Sequence, residues 1–246
     1  MGVTNGAGAK SMIERQHPAC PDNSLLLFDD WEGTFELPMD DQRNPGKSPC
    51  FLARLRNVKL GKDGNDVQVV VKFVYNYCGT YGQVVHEHLH GLGLAPRLYS
   101  AVELHRGLVM VVMDHLAFQE GTGGWVELET FKNGLGSMAD AVRKRLEEIV
   151  DCLQTQQMVH TDLRPKNILV KVDEHRRVTM AEGKPVLSLI DFDWSGLVGE
   201  ARYPPFLNPR IPWPTKTKGY ARVGREDDRI LLDSWWDAFI QPATTS

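Results

Sequence analysis

At 246 residues, 42% hydrophobic and 24% charged, the chain has the length and composition of one globular domain or of two small lobes, which excludes fibrous and wholly disordered classes. A net charge of −4 gives no support to non-specific binding of nucleic acid or of an acidic membrane surface, and no stretch approaches the roughly 20 apolar residues of a membrane span. Cys20, Cys50, Cys78 and Cys152 show no C-x-x-C spacing and read as reduced thiols.

Residues 1–23 are small, polar and Gly-rich, and a flexible tail is expected there. They hold no apolar core of a secretory signal. The start is Met-Gly, but Gly6 stands where a myristoylation signal prefers Ser or Thr, so a cytoplasmic or nuclear monomer is expected. Short β-type runs follow at 50–57, 67–74, 98–104 and 108–113, with a hairpin turn at 61–66 between the first two. The segment 81–96 predicts one short helix, ended by Gly91 or Gly93 and then Pro96. Gly121–Gly124 reads as a loop. The clearest helix spans 137–159, with Ser137 as its cap and Met138, Val142, Leu146, Ile149 and Leu153 as its apolar stripe. Strands at 168–172 and 185–190 form a second pair, and 225–240 is a last amphipathic helix. There are no internal repeats.

The chemistry concentrates in "VHTDLRPKNILV" (159–170), between the long helix and a strand. A histidine, an aspartate, an arginine and an asparagine share one short loop. A second acidic cluster, "IDFDW" (190–194), ends the next apolar strand. Two adjacent strand ends then offer Asp162, Asn167, Asp191 and Asp193 to one place. Such oxygen donors suit a hard cation such as Mg²⁺, which takes one or two carboxylates together with substrate phosphates.

H-x-D-L-R-P-x-N-I-L-V, then a strand, then D-F-D, resembles the catalytic loop and metal-binding segment of the protein-kinase-like superfamily, whose pattern is H-R-D-L-x-x-x-N and D-F-G. Lys72 in "VVVKF" resembles the family's strand lysine, and "LVMVVMDHL" (108–116) the strand leading to its hinge, with Met113 at the gatekeeper position. The order of these parts matches over roughly residues 50–195, and "DFDWSG…RYPPFLNP" looks most like short, compact kinase-like proteins of fungi. The resemblance implies an α+β, two-lobed protein-kinase-like fold. After the tail it places a small antiparallel-sheet N-lobe at 24–113, a hinge at 114–118 and a reduced helical C-lobe at 119–246.

It also implies the site. ATP and Mg²⁺ are the expected cofactors, and the partner is an unknown hydroxyl acceptor, protein or small molecule. Lys72 would hold the α/β-phosphates. Asn167 and Asp191 would bind Mg²⁺, with Asp193 a helper. Asp162 would take the acceptor's proton, and Arg164 stands where many Ser/Thr kinases carry a γ-phosphate lysine. The adenine would bond backbone near Asp114 and Leu116. Departures from the pattern are Thr161 for the loop arginine, Asp193 for the D-F-G glycine, no A-P-E, and no G-x-G-x-x-G before Lys72, where "NPGKSPC" (44–50) is the nearest phosphate-covering turn. Three classes stay open: a protein Ser/Thr kinase, a small-molecule kinase, and a catalytically weak pseudokinase or nucleotide-binding scaffold.

"HEHLHGLG" (86–93) spells H-E-x-x-H, the helical pair of imidazoles of a zinc protease. A third ligand is needed, and position 96 is proline, so the expectation is ordinary histidines on a short helix. In the kinase-like reading this helix supplies the acidic partner of Lys72. Glu87 is its only acid, three residues after Val84, where the family's glutamate would lie.

Overall fold

In the computed structural model, residues 25–28, 31–38, 49–57, 66–75, 81–105, 107–214 and 217–241 are described. The expected tail, the phosphate-covering turn and the 61–66 hairpin turn lie wholly or largely outside them. The chain divides into two units, one made of residues up to Tyr75 with Leu98–His115, the other of Asn76–Arg97 with Leu116 onward.

The first unit is an antiparallel sheet of six strands: β1 (Leu25–Phe28), β2 (Trp31–Pro38), β3 (Cys50–Asn57), β4 (Val67–Tyr75), β5 (Leu98–His105) and β6 (Leu108–Asp114), in the order β1-β2-β3-β4-β6-β5. Alternation with period two builds its core. Phe51, Ala53 and Leu55 of β3, Val69, Val71 and Phe73 of β4, and Met110 and Val112 of β6 pack on one face. Lys72 has Phe73 and Val71 as neighbours in the chain, so it belongs to the opposite face, in register with Cys50 and Val111. On that face Val74, Val109 and Val111 are buried, whereas Arg54, Arg56 and Gln68 are exposed. β1 and β2 were not anticipated from the sequence.

The second unit begins with α1 (Gln83–Gly91), whose C-cap is Leu92 and which Gly93 ends in the left-handed conformation at φ 71°, its amide on the His90 carbonyl at 2.8 Å. A four-stranded sheet follows in the order β13-β10-β8-β7, from β7 (Phe118–Gln119), β8 (Gly123–Glu127), β10 (Ile168–Val172) and β13 (Leu187–Leu189). Two-stranded ladders join β9 (Met158–Val159) to β14 (Gly196–Leu197) and β11 (Met180–Ala181) to β12 (Lys184–Pro185). The helices are α2 (Leu128–Phe131), α3 (Ala139–Thr155) and α4 (Asp227–Ile240).

The loop expected at Gly121–Gly124 is half strand: Gly123 and Gly124 open β8, and Gly124 pairs with Val172. The helix expected from Ser137 starts at Ala139, because a 3₁₀ turn over Gly136–Met138 precedes it, and Met138 takes the N-cap position without a side-chain cap. Val142, Leu146, Ile149 and Leu153 are buried as the stripe predicts. Each such side chain contributes about 1.5–3 kcal/mol of burial. Among the described residues no helix is long and apolar enough to cross a membrane.

Candidate functional site

The loop after β9 is built around one carboxylate from α4. Asp228 is fully buried and accepts two backbone amides, from His160 at 2.6 Å and from Thr161 at 2.8 Å. Thr161 has φ 73°, a conformation that a β-branched residue adopts only when its surroundings enforce it. Its hydroxyl donates to the Trp194 carbonyl at 2.9 Å. The indole of Trp235, also on α4, donates to the Leu163 carbonyl at 2.9 Å. Burial pushes the Asp228 carboxyl up, while His160 and the two amides pull it the other way.

This clamp presents Asp162, Arg164 and Asn167 together. Asp162 is 2% exposed. Arg164 forks onto it, Nε to Oδ1 and a terminal nitrogen to Oδ2 at 2.6 Å. Asn167 Nδ2 donates to Asp162 Oδ2 at 2.8 Å and to its carbonyl at 2.9 Å. A 3₁₀ turn over Pro165–Asn167, opened by the proline, brings the amide round to that position. Burial raises the Asp162 carboxyl above its ordinary value, Arg164 opposes this, and the charge of Asp191 adds to it. The result is a buried carboxylate held by a fixed cation and amide, with its proton affinity raised by burial.

The acidic segment adjoins this loop through the backbone. Ile190 N–H donates to the Asn167 carbonyl at 3.0 Å, and Asp191 turns the chain at φ 71°. Phe192 is fully buried against two imidazoles, stacked on His86 at 4.4 Å and tilted on His160 at 5.1 Å. His160 Nε2 donates to the Ile190 carbonyl at 3.1 Å, and its other nitrogen has no partner among the described residues. Burial drives this imidazole toward the neutral form. His160 thus supports the loop. Asp193 is half-buried and lines a groove of about 280 Å³ that runs to Arg202.

Asn167, Asp191 and Asp193 offer oxygen donors only, the chemistry of a hard cation completed by phosphates. Among the described residues no group of three or more His, Cys, Asp and Glu side chains could hold a metal unaided. His86 is spent on the fold. Tyr81 Oη lies 2.8 Å from its Nδ1, the Pro96 carbonyl lies 2.9 Å from its Nε2, and burial lowers its pKa to about 4. His90 is on the exposed side of α1.

α1 buries Val85, His86 and Leu89. Val84 is 48% exposed, and Glu87 is exposed and accepts from Gln83 one turn earlier at 2.8 Å. Gly82, ahead of the helix, donates to the Phe192 carbonyl at 3.0 Å. In the first unit, Lys72 is 8% exposed and Met113 7% exposed, so both are set within the sheet rather than on a loop. The Asp114 carboxylate accepts from Tyr99 Oη at 2.8 Å, and His115 N–H bonds the Gln68 carbonyl at 3.2 Å. Leu116 is half-buried in the second unit.

Sequence reasoning missed Asp228, Trp235, Gly82 and Ser195, whose hydroxyl donates to the His160 carbonyl at 2.8 Å. The signal for Asp228 was an acidic pair at the start of an apolar helix, which reads equally as ordinary first-turn acids.

No family model matches the chain, and no curated protein matches it. Among solved structures, the Cydia pomonella granulovirus kinase PK-1 superposes with a TM-score of 0.53 at 16% identity, over 86% of this chain and 68% of that one. The fold is therefore protein-kinase-like. The neighbour is viral, and the comparisons give no support to the narrower likeness to compact fungal proteins.

Proposed function

We propose that this protein is an ATP- and Mg²⁺-dependent phosphotransferase, a protein Ser/Thr kinase-like enzyme that passes the γ-phosphate to an acceptor hydroxyl. One observation carries the reading: Asp162, Arg164 and Asn167 are locked together on a buried, strained loop clamped by Asp228. A loop needed only to connect β9 to β10 has no use for a buried carboxylate and a positive-φ threonine. Strain and burial of this kind accompany function.

Asp162 orients the acceptor hydroxyl and takes its proton. Arg164 fixes that carboxylate and places a positive charge beside it, which offsets charge on the transferred group. Asn167 and Asp191, helped by Asp193, would hold Mg²⁺; when bound, the ion supplies neutralisation of the phosphate oxygens. Lys72 would hold the α/β-phosphates, and Met113, Asp114 and Leu116 would frame the adenine. Glu87, the acid of α1, is assigned as counter-charge to Lys72. The parts would fall in an N-lobe at 24–113, a hinge at 114–118 and a C-lobe at 119–246. Phosphoryl transfer asks a protein mainly for positioning and charge neutralisation, and these residue types supply both.

A second reading, a nucleotide-binding scaffold with weak or no turnover, is favoured by Glu87, which is exposed and bonded to Gln83. Transfer from radiolabelled ATP into a mixture of Ser- and Thr-containing peptides tests the choice. Transfer that disappears in Asp162→Asn supports the enzyme. Absence of transfer from a chain that binds Mg-ATP supports the scaffold.

A further inference from the structure

Residues 201–225 hold six of the chain's 28 Lys and Arg and none of its 32 Asp and Glu. The remaining residues therefore carry 22 basic against 32 acidic groups, so this stretch is a basic island in an acidic chain, as is 42–62 in the first unit. Its described residues, 201–214 and 217–225, are folded. Tyr203 N–H donates to the Ala221 carbonyl at 3.0 Å and Val223 N–H to the Ala201 carbonyl at 2.9 Å, which closes a loop at its base. Tyr203 and Val223 are buried in one cluster with Val159, the residue before His160. The core that anchors the loop base thus includes the residue that leads into the Asp162 loop. Trp213 folds back onto the Tyr203 ring at 5.6 Å, and Gly219 lies against the Pro205 carbonyl, where no Cβ would fit.

Arg202 and Arg222 are partners at this base. The amides that pair the strands come from the flanking residues, so the two arginines occupy a non-hydrogen-bonded antiparallel position, where Cα atoms approach to about 4.5 Å and side chains share a face. Like charges directly opposite are unfavourable there. Arg202 donates to the Tyr220 carbonyl at 2.9 Å, and among the described residues none of Arg202, Arg210, Lys218, Arg222 and Arg225 has an ion pair that would relieve the repulsion. Elsewhere in the same unit Arg143, Arg145, Arg164, Arg177 and Arg229 each face a carboxylate. Phe206, 91% exposed, and Tyr220, 52% exposed, stand on the same loop.

We infer that residues 201–214 and 217–225 form a docking surface for an acidic polypeptide segment of the acceptor, with Arg202 and Arg222 at its centre. This rests on the proposed phosphotransferase reading for the role of the docked chain, and on charge and geometry for the docking itself. Arginines without ion pairs on a loop that also exposes aromatic rings have the composition of a peptide-binding hot spot. Charges spread along a loop exceed what one small anion would use. A nucleic acid is disfavoured, because the acid excess of the remaining chain repels an extended polyanion.

The test is fluorescence anisotropy of the full chain, without ATP, against a labelled peptide of alternating Glu and Ser and a matched peptide of Gln and Ser. The acidic peptide is expected to bind on the order of tenfold tighter, with the difference shrinking as salt is added. Arg202→Gln/Arg222→Gln should lose the preference. So should Arg210→Gln/Lys218→Gln, whose side chains hold no part of the loop together, at an unchanged unfolding temperature. Equal affinity for the two peptides overturns the inference. So does tighter binding of a single-stranded oligothymidylate than of the acidic peptide, or a preference that survives in both double variants. Because ATP is absent, failure of phosphoryl transfer leaves this result standing on its own.

Discussion

Asp228 Oδ1 accepts the amide of Thr161 at 2.8 Å, across 67 residues of chain, and so holds a threonine at φ 73° next to the proposed base. Asp228→Ala leaves two buried amides without an acceptor, each costing roughly 1–3 kcal/mol. A loss of about 3 kcal/mol in urea unfolding is expected, with Asp228→Asn in between because its carbonyl oxygen still accepts one amide. A loss below about 1 kcal/mol would mean that the loop holds its shape without α4.

Gly82 sits where a Cβ would meet Ser195 Cβ at 2.5 Å, the Ser195 carbonyl at 2.8 Å and the Phe192 carbonyl at 2.9 Å. Two of those contacts are backbone and cannot rotate away. Gly82→Ala should destabilise by roughly 1–3 kcal/mol, as overpacked cores do. It should also shift Phe192, which an altered aromatic NMR spectrum would register. Wild-type stability and spectrum would contradict the close packing of α1 on the acidic segment.

His86 titrates at about 4 in the folded protein, against an ordinary imidazole value of 6.5, chiefly because burial penalises the imidazolium. Between those pH values the unfolded chain binds the extra proton, so stability is full above about 6.5 and falls as pH drops toward 4. The loss is on the order of 3 kcal/mol. His160, also held neutral by burial, acts in the same direction. Urea unfolding across this range should show the slope, and His86→Phe should flatten part of it. An identical slope in the variant would assign the effect elsewhere.

Asp162→Asn should leave Mg-ATP affinity nearly unchanged and lower turnover by roughly 10²–10⁴, the range for loss of a general base. Asp191→Asn should instead raise the Mg²⁺ concentration needed for half-maximal activity. Steady-state kinetics with varied Mg²⁺ separates the two, and equal activity of both variants and wild type would remove the roles assigned to them.

The cluster around Asp162 was legible in the sequence because it is local. Asp162, Arg164 and Asn167 lie within six residues, and their hydrogen bonds span two to five. Lys72 was legible as a lysine inside an apolar strand. Asp228 was not, because its partners are 67 and 68 residues away and nothing in "REDD" marks one acid as buried. The H-E-x-x-H of α1 misleads for the same reason: what occupies His86 is the Pro96 carbonyl and Tyr81, neither of them part of the motif. The strand at Gly123 and Gly124 escaped notice because its pairing with Val172 is remote while its composition is that of a turn. Ser137 has the residue type of a cap, but a 3₁₀ turn places Met138 there instead.

Calorimetric titration of ATP into the full chain, with and without Mg²⁺, bears most directly on the phosphotransferase reading. Saturable binding at one site is expected, strengthened by Mg²⁺, weakened in Lys72→Ala, and losing its Mg²⁺ dependence in Asp191→Asn. The same ligand should raise the unfolding temperature by mass action. No heat of binding and no thermal shift at millimolar Mg-ATP would contradict it.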